Sequence, residues 1–135
     1  MKKRTESKPL TRRARFAEYV SRIAGDMRLR DWKLFIGEDV PSGDDTTADC
    51  YPIPGRKYAT IRFSESFLRD TPEDQRHTIV HELIHCHLAQ IQRVIEVKLD
   101  NDAIVRNQLE YAVDALADVI APLLPLPPED VKTSQ

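Results

Sequence analysis

The sequence predicts a small single-domain α+β fold. Its parts are an N-terminal helix, about three antiparallel strands, a long helix and a C-terminal helix. Three observations predict it. The chain has 135 residues, the length of one domain. Short runs of alternating apolar and polar residues fall between Asp31 and Phe63. After Arg69 the apolar period changes from two to about 3.6. The boundaries read as a flexible basic leader over 1–10, a folded domain over 11–124 and a proline-rich tail over 125–135.

Each element has a local reason. A helix fits Thr11 to Ala24, because Phe16, Tyr19, Val20 and Ile23 form one apolar stripe and Gly25 offers a stop. In Asp31–Gly37, Trp32, Leu34 and Ile36 share a face. Pro41–Asp45 is turn-rich, and Thr46–Tyr51 fits a second strand that Pro52 and Pro54 end or push to an edge. Lys57–Phe63 is the strongest strand candidate, with Ala59, Ile61 and Phe63 on one side. Thr71-Pro72-Glu73-Asp74 reads as a helix start, with a capping threonine, proline at the first helical position and acids in the first turn. That helix covers Gln75–Leu88 and can continue to Leu99. Asp100-Asn101-Asp102 offers a break and a new cap, and a last helix fits Ala103–Ala121, with Pro122 helping to end it. The tail from Pro122 is expected to be extended or mobile.

Composition excludes several classes. Folding at this size can bury roughly two-thirds of the unfolded surface, enough for a core without staples. The chain is 41% hydrophobic and 31% charged, so it is not of a disordered type. No apolar run approaches the ~20 residues of a bilayer span, so no membrane partner is expected. Cys50 and Cys86 are the only cysteines, which leaves neither a disulfide scaffold nor a four-cysteine zinc module. A reducing cytoplasm is the expected location. Charge is uneven: residues 1–30 sum to +7 and the remainder to −9. The basic segment is either a solvated terminus or an arm that touches nucleic acid.

The chemistry sits in His81-Glu82-Leu83-Ile84-His85, an H-E-x-x-H pattern inside the long helix. Residues four apart on a helix are displaced by about 40° and ~6 Å. Two imidazoles so placed can converge on one Zn2+ ion, while Glu82 stands beside the metal as a candidate general base. A catalytic site needs a third protein ligand. His77 is too far from His85 along the axis, roughly 12 Å, and His87 faces away. Glu96 lies roughly 16 Å past His85. Leu88 and Ile91 stand where a metzincin would place glycine and histidine. Glu110, Asp114 and Asp118 share one face of the last helix, while Leu109, Val113, Leu116 and Ile120 lie on another. Glu110 is the favoured third ligand, with Asp114 orienting a ligating histidine through its other ring nitrogen. A straight helical hairpin leaves a mismatch of ~6 Å for Glu110, so Asp114 stands as the alternative ligand.

HELIH followed some way on by Glu110-x-x-x-Asp114 resembles the gluzincin branch of zinc metallopeptidases. The layout is similar to the minigluzincins and to small metallopeptidases often encoded by phages, with related architecture in ImmA/IrrE-type and SprT-like proteins. The resemblance covers about Phe16–Leu124. It implies a zincin-like fold, zinc held by His81, His85 and Glu110, Glu82 as the base and Asp114 as the orienting acid. Two features depart from the larger relatives. No cysteine-rich zinc ribbon follows, and no histidine comes after His87 to stabilise an oxyanion; Tyr51 and Tyr58 are the substitutes on offer. The expected activity is hydrolysis of a peptide or protein substrate by a zinc-activated water, with Lys57–Phe63 as the sheet edge that pairs with an extended substrate. Two alternatives stand beside it. One is a zinc-stabilised binding module whose basic arm contacts nucleic acid or a protein. The other is an acid-faced protein without a metal.

Overall fold

A computed structural model describes residues 12–37, 39, 41, 46–53, 55–99 and 102–128. The expected leader over 1–10 and the last part of the expected tail lie outside the described residues. The elements in chain order are α1 (Arg12–Asp26), β1 (Lys33–Ile36), β2 (Ala48–Pro52), β3 (Tyr58–Phe63), α2 (Glu65–Arg69), α3 (Pro72–Lys98) and α4 (Ala103–Ile120), followed by a 3-10 turn (Ala121–Leu123). This is the expected α+β class.

The α1 stripe packs inward as its spacing predicts: Phe16, Tyr19, Val20 and Ile23 are all buried. Gly25 does not stop the helix. The turn comes at Arg28, which has a positive φ of 67°. There the Arg28 N–H bonds the Gly25 carbonyl and the Leu29 N–H bonds the Ala24 carbonyl. These are the two hydrogen bonds of a Schellman motif, closed by burying Leu29 and Met27.

The sheet is mixed, in the order β1-β3-β2. β2 and β3 pair antiparallel, from Ala48↔Phe63 to Pro52↔Ala59. β1 pairs parallel with β3, from Lys33↔Tyr58 to Ile36↔Ile61, which corrects the expectation of a wholly antiparallel sheet. The reason is burial. Ala59, Ile61 and Phe63 are almost wholly buried, so β3 takes the middle position, with neighbours on both edges. Pro52, which has no N–H to donate, sits on an edge strand. The inner sheet face meets an aromatic cluster. Phe63 stacks on Phe67 with centroids 4.4 Å apart, and Phe16 meets Phe67 edge-on at 5.1 Å. Phe67 comes from α2, a five-residue helix without a long apolar pattern, capped by the Ser64 hydroxyl.

α3 supplies Ile79, Val80 and Leu83 to the core. α4 buries Val113 and Ala117, and the 3-10 turn after it buries Ala121, whereas Leu116 is 45% exposed. The buried seam therefore keeps Val113 of the apolar face, with Ile120 packed against its edge, and is completed by alanines, while Leu116 stays outside. Alanine lets α4 approach α3 closely, and Glu110, Asp114 and Asp118 flank that seam. Pro122 and Leu123, expected to be extended, lie instead in the 3-10 turn, and an extended segment begins at Leu124. Its first residues are held: the Tyr19 hydroxyl donates to the Pro125 carbonyl at 2.6 Å, and Arg76 Nη1 donates to the Leu124 carbonyl at 3.0 Å.

Candidate metal centre

α3 starts where its sequence says. The Thr71 side chain accepts from the Asp74 N–H, Pro72 is in the first turn, and Glu73 and Asp74 face the positive end of the helix. α4 is capped by Asp102, whose carboxylate accepts from the Ile104 and Val105 N–H groups. The two helices then meet in a ladder of histidine–carboxylate pairs. His77 Nε2 lies 2.8 Å from Asp118 Oδ1, and His81 Nδ1 lies 2.7 Å from Asp114 Oδ1. One turn on, the Glu110 carboxylate spans two rings, with Oε2 3.2 Å from His81 Nε2 and Oε1 3.1 Å from His85 Nε2.

That last rung is where the expected residues converge. The His81 and His85 Nε2 atoms are 3.3 Å apart. One donor atom from each of His81, His85 and Glu110 lies within 4.8 Å of the other two, a group that could hold a metal ion. Two imidazole nitrogens and a carboxylate oxygen are also a suitable donor set for zinc. The helix register, rather than a straight-hairpin estimate, places Glu110 here and leaves Asp114 on the far nitrogen of His81. His87 points away and bonds the Met27 carbonyl at 2.7 Å. Glu96 does not reach the group; its Oε1 accepts instead from Gln92 Nε2.

Electrostatics reflect the crowding. Burial by itself would lower the His81 pKa, but the bonds to Glu110 and Asp114 and the charge of Glu82 outweigh it and raise the pKa to about 9. His85 is raised against burial by Glu110 and Glu82. Glu110, bonded by both rings, is held well below the usual carboxylate range. Glu82 is only 7% exposed. Burial raises its pKa to about 7, with Glu110 and Asp49 adding to the effect and the two histidines opposing it. A carboxyl group poised near neutrality can both take and return a proton.

A cleft of about 300 Å3 opens beside these residues, walled by β2 on one side and by His81, Glu82, His85, Gln92 and Glu110 on the other. The strand along the cleft is thus β2. β3, expected to be the substrate edge, is central and has no free edge. Arg62 fixes the wall by clamping Asp49 with Nε at 2.9 Å and Nη2 at 2.6 Å. It also donates to the Tyr51 hydroxyl at 3.1 Å. Tyr51 lines the cleft, and Tyr58 does not. Cys50, also of this wall, has its sulfur 3.8 Å from that of Cys86. The cleft residues of β2 and Gln92 carry no motif that would mark them. For Gln92 a signal was present, because it stands seven residues after His85 and so shares its helical face.

Fold and donor set together define a small α+β protein with a two-histidine, one-carboxylate group able to hold a metal ion. The chain belongs to the SprT-like family, whose sequence model matches residues 3–98. Glu110 lies beyond that match, so its place rests on geometry. No curated protein and no solved structure matches the chain. Among the described residues, no helix is long and apolar enough to cross a membrane.

Proposed function

We propose that the protein is a zinc-dependent peptidase of gluzincin type, with His81, His85 and Glu110 as the metal ligands and Glu82 as the proton-transferring residue. The observation that carries this reading is the convergence of two Nε2 atoms and the Glu110 carboxylate beside a buried Glu82, at the mouth of a cleft. A zinc ion held there supplies Lewis-acid chemistry, polarising a carbonyl and acidifying water.

The chain's own groups account for the remaining needs. Asp114 holds His81 by Nδ1 and so directs Nε2 toward the metal position. Glu82 lies 4.0 Å from His81 Nε2, near enough to take a proton in the cleft and pass it to a leaving amine. β2 is an edge strand beside the site, so its outer main-chain groups can pair with an extended peptide. Tyr51 accepts from Arg62 and keeps its own O–H to donate toward the cleft. The Glu110 side chain is 51% exposed. That openness favours a catalytic site over the closed zinc of a binding module.

The test is Glu82→Gln. The variant is expected to lose hydrolysis of an unfolded, fluorescently labelled protein while keeping the zinc content of the wild type. Retained hydrolysis would remove Glu82 from the mechanism.

A further inference from the structure

We infer that Gln92, held in turn by Glu96, is the positioning residue for His85. The inference rests on the metal-site reading above.

His81 and His85 face the metal position with Nε2, and each has Nδ1 left over. For His81 that atom meets Asp114 from α4. α4 supplies no such carboxylate to His85, because Glu110 opposite it is already engaged with the two Nε2 atoms. The partner comes from α3 itself: His85 Nδ1 lies 3.4 Å from Gln92 Oε1, and Gln92 Nε2 donates to Glu96 Oε1 at 3.2 Å. Positions 85, 92 and 96 are spaced by seven and four, so they lie on one helical face. Helical side chains lean toward the N-terminus, which brings the Gln92 amide back over the His85 ring.

The arrangement has a direction. A carboxylate only accepts, so Glu96 binds the NH2 end of the amide. The amide oxygen must then face His85. An oxygen there requires a proton on Nδ1, and that leaves the Nε2 lone pair aimed at His81 and Glu110. Glu96 thus sets the amide, and the amide sets the tautomer that can bind metal. This also gives a use to the last two turns of α3, which add little to the core: Val94 and Val97 are exposed.

The probe is Zn2+ alone, titrated into the full, metal-stripped chain against a chromophoric chelator. Gln92→Leu cannot accept from Nδ1 and is expected to weaken zinc binding by roughly 10- to 100-fold. Its metal-free melting temperature should stay near that of the wild type. Gln92→Glu still accepts from Nδ1 and should restore most of the affinity, a rescue that a merely structural role would not produce. Failure of that rescue, or unchanged affinity in Gln92→Leu while His85→Ala loses zinc, would overturn the inference and leave the metal site standing. Zinc bound equally well by His85→Ala would bring down the metal-site reading and the inference with it. If Gln92→Leu does not fold, Glu96→Ala, which leaves the amide no acceptor at that position, carries the test: weaker binding supports the relay and unchanged binding refutes it.

Discussion

Raising the pH of the metal-stripped protein from 6 to 9 should destabilise it, and the site geometry sets the size. The folded His81 pKa of about 9 lies above its ordinary 6.5. Its contribution is therefore fully present below pH 6.5 and lost as pH rises through 9. At about 1.36 kcal/mol per unit the ceiling is ~3 kcal/mol. The carboxylates that raise His81 are half exposed, 51% for Glu110 and 58% for Asp114, so solvent screening reduces this to about 2 kcal/mol. Glu82 acts in the same direction over a lower window. Its pKa is about 7 against an ordinary 4.5, so folding disfavours its ionisation and stability falls between those values. Glu110 has the opposite sign: its lowered pKa contributes stability above pH 4.5 that acid removes. Contact with Cys86 and burial push the Cys50 thiol up, so it acts in the same direction, but only at the top of the interval, where the unfolded thiol begins to ionise. The assay is urea unfolding in the presence of a chelator, read as a midpoint at constant m-value. Glu110→Gln combined with Asp114→Asn should lose much less stability over the same interval. A wild type that loses no more than this double variant would refute the reasoning.

Two further outcomes follow from the packing. Arg28→Gly should stabilise the fold by about 0.5–1 kcal/mol, because glycine adopts the left-handed turn without the Cβ penalty. Thermal unfolding checks this, and a lower melting temperature would contradict it. Ala117→Leu should cost about 1–3 kcal/mol by overpacking the α3–α4 seam. The same variant should weaken zinc binding without touching a ligand, since it moves Glu110 away from the histidines. Unchanged zinc affinity would show that α4 adjusts without displacing Glu110.

What was legible in the sequence is what local chemistry decides. Thr71 and Pro72 mark the start of α3, Phe16 to Ile23 mark the inner face of α1, and Ala59, Ile61 and Phe63 mark the inner face of β3. Each signal lies within a few residues of the element it fixes. The pairing of His81 with His85 was legible because helical spacing fixes which side chains of α3 share a face; the choice between Glu110 and Asp114 was not, because it depends on how α4 docks on α3. The parallel pairing of β1 with β3 was not, since strand order depends on which strand is most buried once the helices dock. The α4 seam was only partly legible for a related reason: Val113 packs as its apolar face suggests, but alanines complete the seam and Leu116 stays outside. The left-handed turn falls on Arg28, where Gly25 was the plainer signal. α2 is too short to show a period.

The central claim is that two histidines of α3 and a glutamate of α4 hold one divalent cation. The most direct measurement is elemental analysis of untagged protein, dialysed against trace zinc, for the wild type, His85→Ala and Glu110→Ala. One zinc per wild-type chain, with loss from both variants that remain folded, is the predicted result. A wild type without zinc, or variants that keep a full ion, would contradict it.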